Sequence, residues 1–244
     1  MIRLRVTFSK DGPLAHTSHL DLARAWERSL RRAGVSLAYS HGFNPRPKLQ
    51  LAAALPLGHT GAAELLDVWL EKPMEVEDFA KGLVPVLPDG LTISQVCQVV
   101  LKEPALQTRV VSAEYRVALG WDEPAEQVEA RIKRVLAAEE LLQERARPGR
   151  GGKQYDLRPL IERLWLERCP EPFDFAQDVL VEGRVAEGEV VLGMQLAARA
   201  GATARPEAVL EALGLRGPFV RYHRQRLIWS AASAPVGNPP GRSS

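Results

Sequence analysis

Apolar and polar residues alternate from the first positions of the chain. Ile2, Leu4, Val6 and Phe8 fall on one side of an extended segment, and Arg3, Arg5 and Thr7 on the other. This predicts a strand over residues 2–8. A turn follows at Lys10-Asp11-Gly12-Pro13. Ser18 with Asp21 three residues on has the pattern of a helix N-cap. The helix it opens runs to about Arg32 and stops at Gly34, with Leu20, Ala23, Trp26 or Glu27, Leu30 and Ala33 as its apolar stripe. Residues 35–39 suit a short strand. Residues 40–48, Ser-His-Gly-Phe-Asn-Pro-Arg-Pro-Lys, exclude a helix and pair poorly in a sheet, because both prolines lack a donor. They predict an ordered loop. Strands over 49–55 and 63–70, a helix from Glu75 to before Pro85 and a strand over 92–101 complete the first half.

That order, strand-helix-strand-strand-helix-strand, is the βαββαβ split motif of ferredoxin-like folds. After 104–108, which reads as a linker, a strand over 110–119 is followed by a helix over 123–143 with Val128, Ile132, Val135 and Leu136 apolar. Residues 145–153 form a basic glycine-rich loop. Strands near 173–181 and 189–198, a short helix after Pro206 and a strand over 220–229 follow. The predicted class is α+β: two ferredoxin-like halves, antiparallel sheets with helices packed on one face. The expected domains are residues 1–104, residues 109–230 as a possible diverged repeat, and a disordered tail over 231–244, which is small and proline-rich.

Composition narrows the picture only modestly. The chain has 244 residues, 45% hydrophobic and 25% charged, with a net charge of +2. That is enough apolar material for a core without disulfides. Cys97 and Cys169 form no C-x-x-C pair and read as buried reduced thiols. No apolar run is long enough to cross a bilayer and no signal peptide is evident, so a cytoplasmic location is expected. The phosphate-loop, dinucleotide, nucleophile-elbow and zinc-helix motifs are missing, as is the three-cysteine cluster motif of radical S-adenosylmethionine enzymes. No cofactor or metal is expected.

Chemistry concentrates in four places. Arg24, Arg28, Arg31 and Arg32 share one side of the first helix, a stripe suited to tracking phosphates. The loop beside it offers Tyr39 and Phe43 for stacking, His41 and Asn44 for hydrogen bonds, and Arg46 and Lys48 as cations, a combination suited to single-stranded RNA. Lys153, Arg158 and Arg205 are candidates for a second phosphate patch, with Asp156 read as a structural partner of its neighbours. His16, His19, His41 and His59 all lie in the first quarter. His19 or His41 has the chemistry of a general base. Asp21 and Glu64 are the acids nearest to making a metal set with them, but no spacing enforces one. In the last strand, alternation turns His223 away from Arg224 and Arg226.

Several of these segments carry a resemblance. Residues 18–22 (Ser-His-Leu-Asp-Leu), 31–34 (Arg-Arg-Ala-Gly), 38–48 and 54–58 (Ala-Leu-Pro-Leu-Gly) resemble the bacterial radical-SAM-linked domain family, as do 153–159 with Asp156-Leu-Arg-Pro and 201–207. The match extends to about Trp229. The chain departs from the pattern at His41, where many members have glutamine, and at Arg46, where many have histidine. The resemblance implies a radical S-adenosylmethionine protein as partner, and RNA or a ribosomal component as target. It supplies no catalytic residue. The expected function is therefore a non-catalytic accessory module that binds RNA or a ribosomal component. The alternatives are a metal-independent RNA endonuclease of ferredoxin-like fold and a purely protein-binding subunit.

Overall fold

The computed structural model describes residues 1–121, 123–147, 150–167 and 189–230. In the first half β1 (Ile2–Lys10), α1 (His19–Arg32), β2 (Leu49–Leu51), β3 (His59–Leu70), α2 (Val76–Leu83) and β4 (Leu91–Val99) follow in order. The second half begins after α3 (Leu106–Arg109). It contains β5 (Val110–Gly120), α4 (Ala125–Ala137), the hairpin β6 (Leu142–Arg147) and β7 (Arg150–Asp156), β8 (Ile161–Leu166), β9 (Glu189–Arg199), β10 (Ala202–Thr203), α5 (Pro206–Leu213) and β11 (Val220–Trp229).

The class is α+β. In the first half the strand order is β4-β1-β3-β2, and in the second β11-β5-β9-β8, every pairing within a half being antiparallel. Both orders are compatible with the ferredoxin-like expectation. Among the described residues the halves share one nine-stranded sheet, because β11 pairs in parallel with the start of β3: Tyr222 with His59, His223 with Thr60, Arg224 with Gly61. Register partners share a face of a sheet. Followed across the strands, Phe8, Glu64, Arg224, Tyr115 and Met194 lie on the same side. α1 and α2 cover that side over Leu4, Val6, Phe8, Leu66 and Val68. α4 and α5 cover it over Tyr115, Val117, Leu119, Leu192 and Met194.

Departures from the sequence-based expectation have local causes. In α1 the Ser18 oxygen accepts from the Asp21 amide at 3.2 Å, as an N-cap should, and Gly34 (φ 70°) ends the last turn. The buried stripe, however, is Leu22, Ala25, Trp26, Ser29 and Leu30, while Leu20 is exposed. Residues 35–39 make isolated bridges, Leu37 to Leu70 and Tyr39 to Pro47, rather than a strand. The expected strand over 49–55 stops at Leu51. Beyond it the Arg224 guanidinium takes the Ala53 and Ala54 carbonyls at 3.2 and 3.1 Å, and β11 takes the edge of β3. α4 stops at Ala137, short of the expected 143, where Arg158 Nε donates to the Leu136 carbonyl at 3.0 Å. The stretch read as a basic loop, 145–153, belongs to the β6–β7 hairpin, and β8 was not anticipated.

The 104–108 stretch is packed rather than loose. Leu106 is fully buried, and Gln50 and Gln107 tie α3 to β2. Arg3 and Arg5 lie on the opposite side of β1 from Leu4, Val6 and Phe8. Both are buried around Asp67, with Arg5 and Arg109 also reaching Glu103 at 2.9 and 2.6 Å. Cys97 is a free, half-buried thiol that burial pushes up in pKa. The expected strand at 173–181, Cys169 and the 231–244 tail lie outside the described residues.

Candidate nucleic-acid interface

The ridge on α1 is where the spacing placed it. Arg24, Arg28, Arg31 and Arg32 are all exposed. Two have acidic neighbours on the same helix: Arg24 with Asp21 at 3.2 Å and Arg31 with Glu27 at 2.7 Å. The Ser18 hydroxyl first, and Arg24 after it, hold the Asp21 carboxyl below its ordinary pKa. Exposed pairs of this kind are worth little. Arg28 also acts on the Asp21 carboxyl through its charge, and among the described residues neither Arg28 nor Arg32 comes within salt-bridge distance of a carboxylate.

The loop after α1 joins this ridge. Arg31 Nη2 donates to the Tyr39 hydroxyl at 3.4 Å, which ties the start of the loop to the C-terminal turn of the helix. Ser40 closes the loop at its base. Its amide donates to the Arg46 carbonyl at 2.8 Å, and its hydroxyl accepts from the Arg46 amide at 3.0 Å. Residues 41–45 therefore project as an arc, with His41, Asn44 and Arg46 exposed and Phe43 without cover on any side. Lys48 is half-buried, and its backbone is held by Ala38 and Trp69. Among the described residues Arg46 and Lys48 also have no carboxylate partner. An exposed phenylalanine on a pre-formed arc with cations beside it can stack a base while the cations hold its phosphate.

The second predicted patch divides. Lys153 is exposed and lines a groove between the β6–β7 hairpin and the β9–β10 turn. Arg158 does not line it: its guanidinium is committed to the Leu136 and Ile161 carbonyls. Asp156 accepts from the Leu141 and Arg158 amides at 2.8 and 2.9 Å, the structural role expected of it. Arg205 is the exposed N-cap residue of α5 and also lies outside that groove.

Sequence reasoning missed the polar interior of the sheet. Glu64 and Arg224 form a buried bidentate pair, and burial and Tyr115 also act on the guanidinium. His59 is 1% exposed, accepts or donates at 2.9 Å with Glu207, and stacks on Tyr222 at 4.5 Å between ring centroids. Burial and Glu207 push Tyr222 up to about 12. His59 is too enclosed to meet a substrate directly; with Glu207 and Tyr222 it ties α5 to the centre of the sheet. The available signal was an acid inside an apolar run, Glu64 and Asp67 among leucines and valine, since such acids are buried only when paired. Nothing in the sequence paired His59 with Glu207. Among the described residues no three His, Cys, Asp or Glu side chains converge on a possible metal position.

Residues 3–206 match the family model described as "Uncharacterized protein conserved in bacteria (DUF2344)". The chain belongs to the DUF2344 family. The matched span holds the α1 ridge, the 39–48 loop and the hairpin groove, whereas β11 with Tyr222 and Arg224 follows it. Comparison with curated proteins finds no match. Among solved structures, this DUF2344 chain is similar to a chain in a crystal structure of a Cbf5-Nop10-Gar1 complex, with a TM-score of 0.44 and 14% identity over 92% of this chain and 48% of that one. It is also similar to a chain in a structure of an H/ACA RNP bound to a substrate RNA containing 2'-deoxyuridine, with a TM-score of 0.43 and 13% identity over 92% and 47%. The DUF2344 chain spans about half the length of the solved chains it matches. None of its helices in the described residues is long and apolar enough to cross a membrane.

Proposed function

We propose that this DUF2344 chain is a non-catalytic module that binds RNA or a ribosomal component and presents it to a radical S-adenosylmethionine enzyme. The Arg31–Tyr39 contact carries the RNA-binding part, because it joins the arginine ridge to the Phe43 arc in one cationic, partly aromatic surface. Arg24, Arg28, Arg31, Arg32, Arg46 and Lys48 grip phosphates in this reading, and Tyr39 and Phe43 stack bases, with His41 and Asn44 supplying hydrogen bonds. The radical-enzyme partner rests on the sequence resemblance of residues 18–22, 31–34, 38–48, 54–58, 153–159 and 201–207.

The test is a titration of the full chain with a fluorescent single-stranded RNA at several salt concentrations. Binding that weakens with salt, and that a R28E/R32E variant lowers at least tenfold, supports the reading. Equal binding by that variant overturns the assigned surface. RNA cleavage that disappears in a His41→Ala variant would replace the module with an enzyme.

A further inference from the structure

The hairpin groove carries an observation that folding alone does not explain. Arg145 on β6 and Lys153 on β7 are direct cross-strand partners. Like charges in that position destabilise a hairpin. Among the described residues neither has a carboxylate partner. The groove of about 420 Å³ that both line is also lined by Leu160, Gly201, Ala202 and Thr203. Its volume falls in the range of small-ligand sites. Arg145 is pinned there: its Nη2 donates to the Thr203 carbonyl at 2.6 Å, and its guanidinium lies 5.0 Å from the centroid of the Tyr155 ring. Among the described residues, Asp156 takes the backbone amides of Leu141 and Arg158 on one carboxylate oxygen, Oδ1.

We infer that this groove binds a single nucleotide unit, either free or at the end of an RNA strand. Lys153 holds the phosphate, which relieves the like-charge pair. The fixed Arg145–Tyr155 stack gives a planar surface for a base, as guanidinium planes and aromatic rings do in RNA-binding proteins. The second Asp156 oxygen accepts from a base amine or a ribose hydroxyl. The choice of a nucleotide rests on the proposed RNA binding; the anion site itself rests on the hairpin alone.

Calorimetric titration of the full chain with uridine 5'-monophosphate and the other three ribonucleotides, with uridine, with inorganic phosphate and with a short 5'-phosphorylated RNA tests the inference. At least one nucleotide should bind more tightly than either phosphate or uridine. A Lys153→Glu variant should lose at least tenfold in that affinity while melting no lower than the parent, since the substitution removes the cross-strand repulsion. Tighter binding of the phosphorylated RNA than of the free nucleotide assigns the groove to a strand end, and the reverse to a free nucleotide. Phosphate binding as tightly as every nucleotide, no binding at all, or an unaffected Lys153→Glu variant overturns the inference. The R28E/R32E variant separates it from the ridge. Groove binding retained there stands even if the ridge binds no RNA, and RNA binding at the ridge stands even if the groove is empty of function.

Discussion

Arg224 of β11 and Glu64 of β3 grip each other in a bidentate ion pair at the centre of the sheet, with Nε and Oε1 2.7 Å apart. The guanidinium also ties down the Ala53 and Ala54 carbonyls. Removing one partner of such a buried pair strands the other charge, so Arg224→Ala should destabilise the chain by about 3–5 kcal/mol in urea unfolding. A Glu64→Leu/Arg224→Met double variant should recover most of that loss. Equal destabilisation by the single and double variants would count against the pairing argument. Gly61→Ala should also be harmful, because an added Cβ would stand 2.5 Å from Glu64 Oε1.

The buried cluster around Asp67 predicts that 103–109 acts as a structural clamp. Asp67→Ala leaves Arg3 and Arg5 without their shared carboxylate and should again cost about 3–5 kcal/mol. Glu103→Ala, on a more exposed side chain, should cost less. Limited proteolysis is the check. Cleavage near 100–105 should accelerate in Glu103→Ala, and an unchanged rate would show that the ion pairs do not hold this segment.

Acidification should loosen the fold. Burial first, then Arg224 and Lys10, hold His19 below its ordinary 6.5; burial and Arg116 do the same for His223. As the pH falls below about 6.5, the unfolded chain takes up protons that the folded chain refuses. Stability therefore declines until the folded-state values are passed. Glu207 acts in the same direction at lower pH. Its burial works upward, but the His59 hydrogen bond and its other favourable neighbours keep it depressed, so its contribution is present above 4.5 and fades as pH drops through the folded value. The thermal melting midpoint should fall between pH 7.5 and 5. His223→Gln should flatten the curve.

At the Phe43 arc, stability and binding should separate. Phe43 makes no buried contact, so Phe43→Ala should leave the melting midpoint unchanged. If the ring stacks a base, RNA affinity should drop by about 1–3 kcal/mol. Salt dependence should barely change in Phe43→Ala and should flatten in R28E/R32E.

The sequence revealed whatever depends on neighbours along the chain. The Ser18 cap, the arginine spacing on α1, the bounds of β11 and the βαββαβ order of the first half follow from local periodicity and capping. The bounds of β2 and α4 did not, because distant guanidiniums, Arg224 and Arg158, decide where each ends. The same limit applied to Arg3 and Arg5. Alternation placed them on a polar face, but Asp67 and Glu103, more than sixty residues away, turn that face inward. The ridge and loop residues were nameable because exposed cations and aromatics need no partner to be recognised. The Arg31–Tyr39 contact that unites them required coordinates.

The parallel pairing of β11 with β3 has a consequence for synthesis. The last described strand sits in the middle of the sheet, between β3 and β5. Until the ribosome has released residue 229, a nascent chain therefore carries the open edge of β5 and the open start of β3, and such edges invite pairing with other chains. The interval between emergence of β9 and arrival of β11 is thus when this polypeptide is most exposed to aggregation, and when a chaperone would matter most to its yield.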